Sequence, residues 1–264
     1  MKRRSTFLIS CLCFGFAFLY IPILVMIAYS FNDSRLMSVW TGFSLRWYQA
    51  LFENEQILTA IWLSLRIAFV SASFATIMGT LAALAMTRIG RFRGRTLFSG
   101  MLAAPLVMPE VITGLSLLLL FVALQDWIGW PGGRGASTIT IAHITFSMAY
   151  VAIIVQSRLA AMDQSLEEAA MDLGCRPMQV TLDITLPMIA PAMLSGWLLA
   201  FTLSLDDLVI ASFVSGPESS TLPMVIYSKV KLGLTPDINA LATLIVATVG
   251  LGVLAAGYLM LRKR

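Results

Sequence analysis

The stretch Arg158-Leu-Ala-Ala-Met-Asp-Gln-Ser-Leu-Glu-Glu-Ala-Ala-Met-Asp-Leu-Gly-Cys-Arg-Pro-Met-Gln-Val-Thr-Leu-Asp-Ile-Thr-Leu-Pro187 lies between two long apolar segments, at about 137–157 and 188–213. Its punctuation is legible residue by residue. Ser165, followed three residues later by Glu168, has the pattern of a capping box, in which each side chain satisfies a free backbone N–H, and predicts a short helix starting there. Gly174 supplies the left-handed residue that ends such a helix. Pro177, with its fixed φ, suits the first turn of a second helix, and Pro187 marks the approach to the next apolar segment. The stretch reads as a helix–turn–helix elbow lying against an apolar slab and presenting an acidic first helix.

Working outward, the slab is a bilayer. Hydrophobic residues make up 58% of the 264 and charged residues 12%, where a soluble domain carries roughly 25% charged. A chain this apolar lacks the polar surface that water demands. Six apolar stretches reach the ~20 residues that a crossing helix needs: about 7–30, 61–87, 97–122, 137–157, 188–213 and 239–261. They leave no room for a separate soluble domain, so residues 1–264 read as a single all-α transmembrane domain with the elbow at 158–187. The first stretch follows Lys2-Arg3-Arg4 as a secretory signal does. Its apolar run is about twice the length of a signal's core, and no small-residue cleavage site follows before Phe31-Asn32-Asp33, which predicts an uncleaved span.

Basic residues then give the orientation. Lys2, Arg3, Arg4, Arg88, Arg91, Arg93, Arg95, Arg158, Arg176, Arg262, Lys263 and Arg264 fall on one side, twelve in all. Arg35, Arg46, Arg134, Lys229 and Lys231 fall on the other, and Arg66 lies in or at the edge of the second stretch. The positive-inside rule places both termini and the elbow in the cytoplasm. Trp40, Trp47, Trp62, Trp127 and Trp130 sit at or near the predicted outer ends. The net charge of +4 reflects these flanks and not a nucleic-acid surface. Cys11, Cys13 and Cys175 show neither CxxC nor metal-ligand spacing and read as inert thiols.

With spans and side assigned, the elbow resembles a known pattern. Glu168-Ala169-Ala170, three residues, Gly174, nine residues, then Ile184-x-Leu186-Pro187 is similar to the EAA signature of binding-protein-dependent ABC importer permeases, position for position. Ala104-Pro-Leu-Val-Met-Pro-Glu-Val-Ile-Thr-Gly114, Phe201-Thr-Leu-Ser-Leu-Asp-Asp-Leu-Val-Ile210, Ser215-Gly-Pro217 and Leu222-Pro-Met224 resemble the putrescine/spermidine (polyamine) branch. The resemblance implies a type I ABC importer permease fold in a bacterial inner membrane. It implies that Glu168, Ala169, Ala170, Gly174, Ile184, Leu186 and Pro187 form a coupling helix that docks on a cytoplasmic ATPase. It further implies four partners: a second permease subunit, two copies of the ATPase, and a periplasmic polyamine-binding protein received by the outer segments, Trp47 and Tyr48 among them. Those two aromatics read equally well as plain interface anchors.

Ionisable groups inside spans cost at least ~2.5 kcal/mol and are functional candidates. Glu110 lies ~20 Å along the third stretch, after Pro105 and Pro109, which should kink or open that helix and free carbonyls to line a cavity. Asp206 and Asp207 lie ~27 Å along the fifth, where adjacent residues point about 100° apart, so one of them faces a path. Three acids against the single Arg66 favour a cation as cargo; the bland alternative has an Asp bonding a neighbouring backbone or capping a broken helix. Ser204 and Thr202 are weaker polar candidates. His143, the only histidine, reads as a packing or helix-contact residue, Arg66 as a snorkelling side chain, and Gly79 with Ala83 as a small-residue packing face.

No catalytic, metal or cofactor site is expected. The Gly-x-x-x-x-Gly-Lys-Ser/Thr pattern is absent from the chain, so ATP must bind elsewhere. A permease for another small solute stays open. An ion-gradient carrier would show corresponding broken helices in its two halves, and an intramembrane enzyme would need more than a lone histidine.

Overall fold

The computed structural model describes residues 6–35, 39–90, 92–233 and 236–262. Of the basic residues used for orientation, Lys2, Arg3, Arg4, Arg91, Lys263 and Arg264 lie outside the described residues. The elements are α1 (Thr6–Tyr29), α2 (Arg46–Phe52), α3 (Glu55–Arg88), α4 (Arg95–Val107), α5 (Glu110–Ile128), α6 (Ala136–Ala160), α7 (Ser165–Asp172), α8 (Pro177–Val180), a π-helical turn (Thr181–Thr185), α9 (Leu186–Asp206), α10 (Val209–Val214), α11 (Leu222–Leu232) and α12 (Pro236–Arg262). Among the described residues the only β pairing is an isolated bridge between Asn32 and Phe43. An all-helical chain is what a bilayer permits, because each helix satisfies its own backbone where no water can.

Two predicted spans are interrupted. The stretch 97–122 is divided between α4 and α5, because Pro109 lacks an N–H and crowds the residue before it out of helical geometry. Met108 accordingly has ψ 136° and Pro109 ψ 138°. The stretch 188–213 ends its first helix at Asp206. Asp207 is extended, with ψ 122°, and α10 restarts two residues later. No proline marks that second break. In the other direction, helix runs unbroken from Pro177 to Asp206, so the second half of the elbow is part of the long helix. Pro187 has no N–H to offer the carbonyl four residues back, and the wider π turn just before it accommodates the loss. Five described helices are long and apolar enough to cross a bilayer: Phe7–Tyr29, Glu55–Arg88, Glu110–Ile128, Ala136–Ala160 and Pro177–Asp206. Arg95–Val107 and Pro236–Gly252 are shorter apolar helices.

The chain forms two compact units. Met1–Leu58 with Ile226–Arg264 holds α1, α2 and most of α11 and α12, with α12 packed on both α1 and α2. Its connecting loop is organised by Asn32, 1% exposed, whose side chain donates to the Val39 carbonyl at 2.7 Å and accepts from the Thr41 amide at 3.0 Å. Lys229 and Asp237 form an ion pair there.

Thr59–Val225 is built on α3, α6 and α9. Ala72, Ala75 and Ala83 of α3 meet Val151, Val155 and Leu159 of α6 and Ile189 and Ala200 of α9. The small-residue face predicted at Gly79 and Ala83 is the contact. A Cβ on Gly79 would lie 2.8 Å from Val151 Cβ and 2.9 Å from the Met148 carbonyl. Lipid is as apolar as these side chains, so close backbone approach and dispersion, not exclusion of water, favour this packing. A second cluster joins Ile67, Phe121, Ile139, Ala142, Phe146, Ile210, Ala211 and Val214, seating α10 against α5 and α6.

Candidate functional site

Both helix breaks open on one cavity. Glu110 stands in the first turn of α5 just after the Met108-Pro109 break, and Asp206 and Asp207 stand at the α9–α10 break. With Phe146, Leu203, Leu208 and Val209 they line a cavity of about 260 Å³. Three acids from two separate parts of the sequence are thus brought together, and among the described residues no basic side chain lines the same space.

The two aspartates differ in what they hold. Asp207 Oδ1 accepts from the Ile210 amide at 3.2 Å, and Oδ2 accepts from the Ala211 amide at 2.7 Å. Oδ2 also lies 3.1 Å from His143 Nε2. The Asp207 side chain is 6% exposed. It caps α10 and faces a buried imidazole, as a carboxylate does at a free helix N-terminus. Asp206 and Glu110 are exposed at the cavity. Ser204 is buried and does not line the cavity; its hydroxyl lies 2.6 Å from His143 Nδ1 and receives Ser71 Oγ at 3.1 Å. Thr202 bonds back to the Leu198 carbonyl of its own helix.

The elbow forms a second site within the same unit. Its first helix begins at Ser165 as predicted, but the capping box does not close. Ser165 is already helical, and its amide donates to Asp163 Oδ1 at 3.0 Å. The cap has moved upstream, so Glu168 is one position too far along the helix to reach back. Bonds from the amide and hydroxyl of Ser165 hold the Asp163 carboxyl below the usual aspartate range. Gly174 has φ 91°. Its amide donates to the Met171 carbonyl at 2.9 Å and that of Cys175 to Ala170 at 3.1 Å, the paired bonds of a Schellman turn.

Glu168 and Ala169 are exposed and Ala170 is buried. Ile184 lies in the π turn, with Leu186 and Pro187 immediately after it. Glu168 shares a cavity of about 680 Å³ with Arg88, Glu167, Pro177, Thr181 and Thr185, between the C-terminal end of α3 and the elbow.

Residues 75–262 match the profile of the family described as binding-protein-dependent transport system inner membrane component. The chain belongs to that family. It is 58% identical over 98% of its length, and 92% of the relative's, to the putrescine transport system permease protein PotI of Escherichia coli (strain K12). The spermidine/putrescine transport system permease protein PotC of the same strain is 44% identical over 87% of this chain and 84% of its own. Among solved structures, that of a bacterial ABC transporter involved in the import of the acidic polysaccharide alginate superposes with TM-score 0.75 at 20% identity, covering 97% of this chain and 94% of that one. An amino acid ABC transporter crystallised with histidines superposes with TM-score 0.57 at 17% identity, over 83% and 98%.

Two residues of this inner membrane component carry contacts that the sequence reading assigned to neither. Arg88, counted only as a flanking charge, donates through Nε to Glu167 Oε2 at 2.8 Å and through Nη2 to Oε1 at 3.2 Å and the Leu159 carbonyl at 3.4 Å. Thr185 adds a bond to Glu167 Oε1 at 2.8 Å. One buried carboxylate thus ties α3, α7 and the π turn, with α6 reached through Arg88. A sequence signal did exist: Glu167 and Ala170 are three apart on one face of α7, opposite the solvent-facing Glu168. The 79-residue separation of Arg88 from Glu167 left its partner unreadable. His143 makes more than the expected helix contact, since it bridges α9 and the α9–α10 break.

Trp47 and Tyr48 belong to the other unit, and their polar ends are used locally. The Trp47 indole donates to the Asn32 carbonyl at 2.7 Å under the Arg46 guanidinium, and the Tyr48 hydroxyl lies 2.6 Å from Ser30 Oγ.

Proposed function

We propose that this chain is the permease subunit of an ATP-driven importer, forming half of a translocation path for a polyamine, putrescine before spermidine. The observation that carries the reading is the cavity in which Glu110 and Asp206 present carboxylates beside Phe146, at two helix breaks of a membrane protein. A linear polyamine places ammonium groups at the ends of methylene runs. Spaced carboxylates suit the ends, and apolar and aromatic walls suit the run between them. Identity of 58% to a putrescine permease supports this cargo.

In this reading six helices cross the inner membrane as one domain with both termini in the cytoplasm. The Glu168–Pro187 elbow docks on one of two ATPase subunits, a second permease completes the path, and a periplasmic polyamine-binding protein meets the segment containing Trp47 and Tyr48. Closed and open ATPase dimers must contact the elbow differently, because only a difference in binding between two states shifts the permease between them. An ion-gradient carrier with matching broken helices in its two halves is less well supported. The breaks fall in the third and fifth stretches, and α12 is continuous.

The test is purification in mild detergent followed by reconstitution. Co-purification of an ATPase and a second permease, with ATP-dependent putrescine uptake that excess neutral amino acid does not inhibit, is the expected result. Uptake driven by an ion gradient without an ATPase overturns the importer reading, and preference for the neutral amino acid overturns the cargo.

A further inference from the structure

Behind the cavity wall runs a chain of hydrogen bonds that transport of a cation does not by itself require. Ser71 on α3, Ser204 on α9, His143 on α6 and Asp207 at the α9–α10 break follow one another at 3.1, 2.6 and 3.1 Å. His143 is 2% exposed. A hydroxyl both donates and accepts, and either imidazole nitrogen can do either. With a neutral ring the hydrogens run one way. Ser71 donates to Ser204, Ser204 donates to Nδ1, and Nε2–H donates to Asp207. With a charged ring the serine end reverses. Nδ1–H donates to Ser204, Ser204 donates to Ser71, and Ser71 donates to the Ala68 carbonyl, which lies 3.2 Å from its Oγ. Nε2–H stays on Asp207.

Every link is matched in both states. That is unusual for a buried polar group, since a change of charge ordinarily strands a donor or acceptor at a cost of about 1–3 kcal/mol. Here the Ala68 carbonyl supplies the terminal acceptor and Asp207 the counter-charge.

We propose that His143 is a proton-binding residue linked to the cavity, so that a proton on its imidazole and a cation between Glu110 and Asp206 compete. The inference rests on the polyamine reading of that cavity. Asp207 is the link, because it meets His143 with one oxygen and also forms part of the cavity wall. With neutral His143 the wall holds the open carboxylates of Glu110 and Asp206 and an Asp207 that is met by backbone amides and a neutral ring but by no formal positive charge. With charged His143 the Asp207 charge is spent in an ion pair, and the attraction on a bound cation falls.

Among the described residues, Asp207 bonds the ring, and its neighbour Asp206 and, from α5, Glu110 line the cavity that Asp207 also lines. α3 contributes the Ser71 hydroxyl, and α10 has no titratable side chain. Binding linkage is reciprocal: whatever factor a cation takes from proton affinity, a proton takes from cation affinity. A site that must both capture a cation and let it go is served by such a competitor.

His143 is the only histidine of the chain, so ¹⁵N-histidine placed in this chain alone gives one imidazole to observe in the assembled complex in lipid vesicles. Spectra recorded across pH ~5 to ~8 are expected to hold both charged and neutral signals. Saturating putrescine should lower the charged fraction at least about threefold, and a neutral amino acid should leave it unchanged. In transport, putrescine taken up per ATP hydrolysed should fall between pH ~8 and ~6 in the wild type. His143→Gln keeps a donor for Asp207 but cannot take a proton, and should flatten that fall.

An imidazole that stays in one charge state across this range, or does not respond to putrescine, overturns the proposal. So does an unaltered pH profile in His143→Gln. If that variant does not assemble, the wild-type spectrum still decides. Absence of putrescine uptake at every pH overturns the polyamine reading and the competition with it, whereas normal uptake with an unresponsive imidazole overturns the competition alone.

Discussion

Asp206 and Asp207 are neighbours in the chain whose carboxylates meet different surroundings. Asp207 accepts from two backbone amides and a histidine, while Asp206 faces the cavity with Glu110. Their isosteric amides should therefore separate two effects. Asp206→Asn and Glu110→Gln remove only charge at the cavity, and are expected to slow putrescine uptake about tenfold or more with unfolding midpoints in detergent unchanged, a tenfold rate loss corresponding to ~1.4 kcal/mol. Asp207→Asn replaces charge-assisted bonds at a helix cap and is expected to cost stability of about 1.5–3 kcal/mol. Wild-type uptake in both cavity variants would make those acids structural.

The sequence singled out all three acids because carboxylates in apolar helices are conspicuous. It offered no way to tell the capping aspartate from the open one. That depends on where the chain breaks and on a histidine more than 60 residues away.

At the scale of elements, the elbow is held to the bundle by Glu167, although Glu168 is the residue that the sequence resemblance marks. Glu167 is 9% exposed, and its carboxylate receives Arg88 and Thr185, joining α7 to α3 and to the π turn. Under the proposed importer reading, these bonds are the route by which movement imposed on α7 would reach two long helices. We expect Glu167→Gln in the reconstituted complex to keep ATP hydrolysis while lowering uptake per ATP several-fold, with a stability loss of about 1.5–3 kcal/mol, since the change leaves the half-buried Arg88 without its counter-charge. Thr185→Val should produce a smaller loss of the same kind. Equal uptake per ATP in wild type and Glu167→Gln would remove this carboxylate from coupling. Local chemistry located the elbow's turn, since Gly174 and Pro177 act within a few residues. It misplaced the cap, because Asp163 accepts from the Ser165 amide, the donor that the Glu168 side chain needed.

For the unit formed by Thr59–Val225, the decisive distance is that between α3 and α6. Gly79 meets both a side chain and a backbone carbonyl of α6. Gly79→Ala should push the helices apart and cost about 1–3 kcal/mol by overpacking. Val151→Ala should restore only part of that loss, because the Met148 carbonyl cannot retreat as a side chain can. Unfolding of the two variants and their combination in detergent measures this, and full restoration would show that the backbone contact does not matter.

What the sequence determined by itself was the solvent, the helical class, the apolar stretches, the elbow's turn and the family, along with the acids that do not belong in lipid. These follow from composition, periodicity and short-range geometry, which act over one turn of helix or one bilayer thickness. Only the tertiary structure decided that the α4–α5 and α9–α10 breaks open on one cavity, that Asp207 is committed while Asp206 is open, and that Arg88 belongs to Glu167 and His143 to Asp207. Those pairings join residues roughly 60 to 80 positions apart. The physical reason is that a buried charge is settled by whichever partner the packed helices bring within about 3 Å, and that partner leaves no periodic trace in the chain.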